Sequence, residues 1–235
     1  MPRNAPARPP ALSERRPAME RSNVRGEATR QLILRSAERL FAERGITAVP
    51  LRDIGVAAGQ RNHAAVQYHF GDRDELVKAI MEFRGGESEA HRAQVVANLM
   101  MGNRTPTIAD VVDAFVRPLA IHIEPDNHYL AFLSSLITEQ GGYEGLSTRD
   151  IHAGASVLTL GTLLGRLITN LPPAILEERW SLARTSAVHA LARYQSAQQM
   201  RQHLPATIEV LIDDLILFLS AGITATPAGT DPRAS

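Results

Sequence analysis

Residues 51–70, LRDIGVAAGQRNHAAVQYHF, constrain the fold more than any other part of the chain. Leu51, Ile54 and Ala58 recur at helical spacing, Gly59 breaks the run, and Val66 and Phe70 then share the inward face of a second short helix. A short helix, a glycine turn and another short helix is a helix-turn-helix layout. Such a pair has no core of its own, so it needs a third helix beneath it. Residues 27–44 supply one, with Ile33, Ala37, Leu40 and Phe41 on one face and Gly45 as the stop. The outward face of the second short helix carries His63, Gln67 and Tyr68, groups that can donate to phosphates or read base edges, and none of them is acidic.

The same stretch resembles the TetR family of transcriptional regulators. The likeness rests on Arg52, Asp53, Ile54, Ala58, Gly59, Tyr68, His69, Phe70 and Gly71, followed by Asp72, Arg73, Asp74, Glu75 and Leu76, and it covers residues 27–83. Beyond them it is a likeness of architecture only. It implies an N-terminal three-helix DNA-binding domain at residues 25–84. Phosphate contacts would come from Arg52, Arg61, Tyr68, His69 and Arg73, and base-edge contacts from Asn62, His63 and Gln67. Arg73 stands at the family's basic phosphate-contacting place, where a helix N-terminus adds its own positive end; the competing reading is an exposed arginine paired with a local carboxylate. Two positions depart from the family pattern. Pro50 replaces the usual Ser or Thr cap but presets the first helical turn, and Gly55 replaces Ala at about 1 kcal/mol of helix propensity.

With 235 residues and 44% apolar content, the chain is long enough for two modules. The absence of cysteine excludes disulfides and thiolate metal sites and agrees with a reducing compartment, so the expected location is cytoplasmic. No apolar window approaches the length of a membrane span, and the prolines of the first thirty residues break up any secretory signal. The formal net charge of zero conceals an asymmetry. Residues 1–84 hold 15 Lys/Arg against 10 Asp/Glu, and residues 85–235 hold the reverse. A basic front end suits a polyanionic partner there, although chance scatter gives the same figures.

Residues 1–24 mix Pro, Arg, Ser and Asn without apolar periodicity and read as a disordered basic arm, which either tracks the DNA backbone or is merely solvated. Asp72 caps a helix with Leu76, Val77, Ile80 and Met81 inward; Gly85 and Gly86 interrupt it, end it or leave it continuous as a lever. Residues 85–222 then read as a helical ligand-binding and dimerisation domain. Ile108, Val111, Val112, Phe115, Val116 and Leu119 line one helix that Pro118 should bend, and Tyr129, Phe132, Leu133, Leu136 and Ile137 line the next, up to Gly141 and Gly142. In the leucine-rich helix after Ala153, Gly161 and Gly165 either admit a neighbouring helix or leave space for a ligand. Trp180, Ala183, Ala187, Ala190, Tyr194 and Ala197 form a seam of mostly small side chains. The last helix, from Ile208 to Gly222, is apolar over more than half its circumference, so it either seeks a partner chain or lies fully buried at the centre. Residues 223–235 read as a disordered tail. No strand-like alternation occurs between 27 and 222, so the fold class is all-α.

No catalytic constellation appears: no GxSxG, P-loop or dinucleotide fingerprint, and no His-Glu-x-x-His pair among the eight histidines. The chain reads as neither an enzyme nor a metal or cofactor protein. Arg166, set among leucines, either binds an anionic ligand group or pairs with a carboxylate at a helix crossing. The expectation is a homodimeric, ligand-responsive regulator, a repressor by resemblance, that binds a palindromic double-stranded operator. Its effector would be small and largely apolar, held by Phe115, Tyr129, Phe132, Leu163 and Arg166. The alternative is a helical dimer that binds a small molecule or protein and reads no DNA sequence.

Overall fold

The computed structural model describes residues 16–62, 64–140 and 154–226, with the backbone alone for 16–25 and 140. Among the described residues every regular element is an α-helix: α1 (Arg16–Arg44), α2 (Leu51–Ala57), α3 (Ala65–Phe70), α4 (Arg73–Met101), α5 (Ile108–Ala120), α6 (Tyr129–Gln140), α7 (Ala155–Leu167), α8 (Pro173–Gln199) and α9 (Ile208–Thr224). The all-α reading therefore holds. Residues 1–15, His63, the glycines at 141 and 142, and residues 227–235 lie outside the described residues.

Gly45 ends α1 as its sequence position demands: its φ is +85°, and its N–H closes on the Phe41 carbonyl at 3.0 Å. The start of α1 differs from the expected arm over residues 1–24, because the helix begins at Arg16 rather than near Glu27. Ala18, Met19, Glu20 and Arg21 are strong helix formers, and Pro17 falls in the first turn, where its missing N–H costs nothing. Apolar periodicity reports which residues pack, and this extension lacks a packing stripe to report.

α4 runs unbroken through Gly85 and Gly86, so of the three readings of that pair the continuous one is correct. A Cβ on Gly85 would stand 3.1 Å from the Tyr129 hydroxyl, so this glycine leaves room for the tip of that side chain, which reaches over from α6. Gly161 faces α8, where a Cβ would meet Trp180 Nε1 at an ordinary contact distance of 3.4 Å; Gly165 has open space around it.

Helix ends follow from local chemistry. Asp72 accepts from the Glu75 N–H at 2.9 Å to start α4, and Thr107 with Asp110 forms a reciprocal capping box at the start of α5. Arg104 grips the Asp110 carboxylate with two 2.7 Å bonds and holds it well below the usual carboxylate range. The Gly154 cap of α7 has no side chain, and Glu89 of α4 substitutes for one by accepting from the Ser156 N–H at 2.9 Å. At the other end of the chain, Arg179 of α8 donates to the Ile223 carbonyl at 2.8 Å and so closes the C-terminus of α9.

α1 packs on α2 and α6, α6 on α8, α5 on α4 and α9, and α8 on α9. One apolar core runs through all of these contacts, and Phe41 of α1 stacks on Phe132 of α6 at 6.2 Å. Buried Glu38 of α1 adds a polar tie: it accepts from Arg84 Nε at 2.7 Å and from the His128 N–H at 3.0 Å. The expected division between residues 84 and 85 falls inside α4.

α9 is not a buried central helix. Ile212, Leu215, Ile216, Leu219 and Ile223 face the core, whereas Leu217 and Phe218 are 63% and 70% exposed. An apolar stripe therefore faces outward, and the fully buried alternative is excluded. No helix among the described residues is long and apolar enough to cross a membrane.

Candidate nucleic-acid interface

The helix-turn-helix is built from three short decisions in the sequence. Pro50 starts α2 with φ −66° and ψ 140° and offers no side-chain cap; its carbonyl takes the Asp53 N–H at 3.0 Å. Gly55 is buried where α2 meets α3, and a Cβ there would sit in ordinary contact with Val66, 3.6 Å away. Gly59, at φ +69°, makes the turn. Val66 and Phe70 then anchor α3 inward, and Arg30 of α1 lies over the Phe70 ring at 5.1 Å.

With Val66 and Phe70 of α3 anchored and Ala65 packed beside them, the outer face falls to Gln67 and Tyr68. Gln67 is exposed and Tyr68 is 85% exposed; His69 is half-buried and meets the Tyr68 ring edge-on at 5.2 Å. Arg52, Arg61 and Asn62 are exposed as well. His63 lies outside the described residues. Asn62 has a second role: its Oδ1 accepts from the Ala64 N–H at 3.0 Å, which engages one lone pair of that oxygen at the entry of α3. The Asn-x-Ala spacing just before a short helix is its signal in the sequence.

Arg73 is half-buried at the start of α4, and its Nη1 donates to the Ile46 carbonyl in the turn between α1 and α2. The local-carboxylate alternative for Arg73 is therefore replaced by a backbone anchor. Its remaining guanidinium N–H groups keep their donor capacity.

The five residues expected around an effector do not form one set. Phe115, Tyr129 and Phe132 are almost wholly buried; Tyr129 stacks on Phe132 at 6.2 Å, and Phe115 meets Trp180 edge-on at 5.5 Å. Leu163 is half-buried and Arg166 is exposed, without an ion pair to another described residue. Arg166 is thus on the outside of α7: Leu160 and Leu164 turn into the core, and the arginine shares the outer side with exposed Leu158. The charge buried in this half is instead Arg92 of α4, 5% exposed, which pairs with Glu89 at 2.8 Å and lies 5.4 Å from the Phe115 ring centre. It occurs in the polar-looking run after Gly86, where a sequence pattern gives it no prominence. A separate cleft of about 350 Å³ is lined by His91, Arg117, Ile123, Ile208 and Ile212, none of them among the five. Among the described residues no cluster of His, Asp and Glu is placed to hold a metal ion.

Residues 33–80, from the packed face of α1 to the first turns of α4, match the family model described as bacterial regulatory proteins, tetR family. The HTH-type transcriptional repressor Rv3405c of Mycobacterium tuberculosis is 33% identical over 129 residues, which cover 44% of this chain and 68% of that one. The chain belongs to the TetR family. The HTH-type transcriptional regulator TtgR of Pseudomonas putida is 34% identical over 64 residues, 27% of this chain and 30% of TtgR. A transcriptional regulator from a Rhodococcus species, solved by crystallography, aligns with 84% of this chain and 99% of its own at 16% identity and a TM-score of 0.47. As a TetR-family protein the chain is a helix-turn-helix, DNA-binding transcriptional regulator, in a family of regulators rather than of enzymes.

Proposed function

We propose that this TetR-family chain acts in the cytoplasm as a homodimeric repressor that binds a palindromic operator and leaves it when a small, largely apolar molecule binds the helical half. The observation that carries the DNA-reading part is the division of labour on α3: Val66 and Phe70 fix the helix, and Gln67 and Tyr68 stand out from it unburied. On this reading residues 25–84 form the DNA-binding domain and residues 85–222 the effector and dimerisation domain. Base edges are read by Asn62, His63 and Gln67, and phosphates are held by Arg52, Arg61, Tyr68, His69 and Arg73.

Dimerisation is supported by the outward stripe of α9, where Leu217 and Phe218 offer apolar surface that a monomer would leave in water. Two reading heads on a two-fold axis address two half-sites, hence the palindrome. The repressor assignment draws on the naming of the mycobacterial relative. The apolar effector is argued from the apolar character of the helical half, whose core holds Phe115, Tyr129 and Phe132, with Arg92 rather than Arg166 as the buried charge, 5.4 Å from the Phe115 ring centre.

The deciding experiment is to sequence duplexes captured by the purified protein from a random-sequence library. Recovered fragments should share an inverted repeat; a collection without any shared sequence would remove the operator-reading role.

A further inference from the structure

The peptide unit that joins Ile46 to Thr47 is held at both of its polar ends. Its N–H, on Thr47, donates to Glu139 Oε2 at 3.0 Å, and its carbonyl, on Ile46, accepts from Arg73 Nη1. The preceding N–H, on Ile46, donates to Glu139 Oε1 at 2.6 Å, so both carboxylate oxygens are engaged by consecutive backbone amides. Glu139 belongs to the last turn of α6, more than ninety positions from the turn that it grips. Gly45 makes room for it: a Cβ there would come within 2.7 Å of Glu139 Oε1, and the +85° φ is one that only glycine adopts readily.

In a trans peptide the N–H and C=O point in opposite directions. The arrangement is therefore a line: carboxylate, amide, guanidinium. Each charge polarises the amide in the sense that strengthens the bond to the other, so the two hydrogen bonds support one another. Without the carboxylate, the two N–H groups lose their shared acceptor and the carbonyl that orients Arg73 loses its fixed direction.

From this geometry we infer that Glu139 of α6 is a positioning residue for DNA binding, which sets the guanidinium of Arg73 for a backbone phosphate through the Ile46–Thr47 peptide. The inference rests on the proposed phosphate contact of Arg73. It gives the helical half a polar connection to the reading head besides the apolar seam of α1 and α6.

The test compares the wild type, Glu139→Gln, Arg73→Ala and the double variant, all as full chains, on one duplex recovered from the random-sequence library. Affinity is measured as a function of salt. Removal of an anion near a polyanion would by itself tighten binding, whereas loss of positioning loosens it, so the sign is informative. The expected results are a loss of about tenfold for Glu139→Gln, less than twofold for the same change on top of Arg73→Ala, and a salt slope lowered by about one for Arg73→Ala. Tighter or unchanged binding by Glu139→Gln overturns the inference. Equal losses in both backgrounds also overturn it, by showing that Glu139 merely supports the turn. If Arg73→Ala changes neither affinity nor slope, the phosphate contact itself is wrong and the positioning role falls with it. Thermal unfolding checks each variant; where Glu139→Gln folds poorly, Glu139→Asp, which keeps the charge and withdraws the carboxylate, is read in the same cycle against the same outcomes.

Discussion

His122 Nε2 lies 2.6 Å from the Ser88 hydroxyl, and its ring stands edge-on to Tyr129 with centroids 4.7 Å apart. This buried contact ties the turn after α5 to α4 and α6. Burial pushes the imidazole down from 6.5 to about 4, and the positive charges of Arg84 and Arg92 push in the same direction. His122 is therefore neutral in the folded protein. The folded value is the lower one, so acid favours the unfolded chain: stability is fully present above about pH 6.5 and declines as pH falls from there to about 4, by about 3 kcal/mol from this residue. Urea unfolding of wild type and His122→Gln across that range should show the wild-type advantage shrinking on acidification. A constant difference would contradict a neutral buried imidazole.

Glu38 is buried and accepts from Arg84 and the His128 N–H. Glu38→Leu should destabilise the fold by about 3–5 kcal/mol, because it leaves Arg84 and an amide without their acceptor. Replacing Glu38 and Arg84 together by leucine should cost less than Glu38→Leu alone. Denaturant midpoints measured on the two variants decide the order.

Phe218 and Leu217 present the apolar stripe of α9. Phe218→Glu combined with Leu217→Glu should convert the proposed dimer to monomers in sedimentation analysis, with helix content retained by circular dichroism. The same variant should lose operator affinity at least a hundredfold, since a single head keeps only half of the contacts. A wild-type protein that sediments as a monomer at working concentration would contradict the assembly.

Gln67 and Tyr68 make few demands on the fold, so their replacement by alanine should leave the melting temperature nearly unchanged. Operator discrimination should drop by about 1–3 kcal/mol for each good contact removed, with weak non-specific binding retained. Footprints of wild type and variant on the same fragment provide the comparison, and an unchanged protected sequence would shift the reading role away from α3.

The helix-turn-helix was legible because its determinants are local: Gly59 can only be a turn, and Val66 and Phe70 can only both face inward on a helix. The same holds for Asp72 and Gly45 at helix ends. What escaped the sequence depends on distant partners. Gly85 and Gly86 look like a break until Tyr129 is seen beside Gly85. Arg166 looks misplaced among leucines, yet the helix puts it outside; Arg92, in a stretch that reads as polar surface, is the charge that α5 covers. Glu139 carries no local signature whatever, because its partners are backbone amides of a turn that only the packing of α1 on α6 brings near.

The unbroken course of α4 has a mechanical consequence. At 1.5 Å per residue the 29-residue helix is a rod about 43 Å long, and the stretch from Ser88 to Arg73 spans about 22 Å of it. A swing of about 10° pivoting near Ser88 would carry Arg73 sideways by about 4 Å, a third of the roughly 12 Å width of the major groove. A small displacement at the pivot would thus be magnified into a shift that the proposed phosphate contact of Arg73 would not survive.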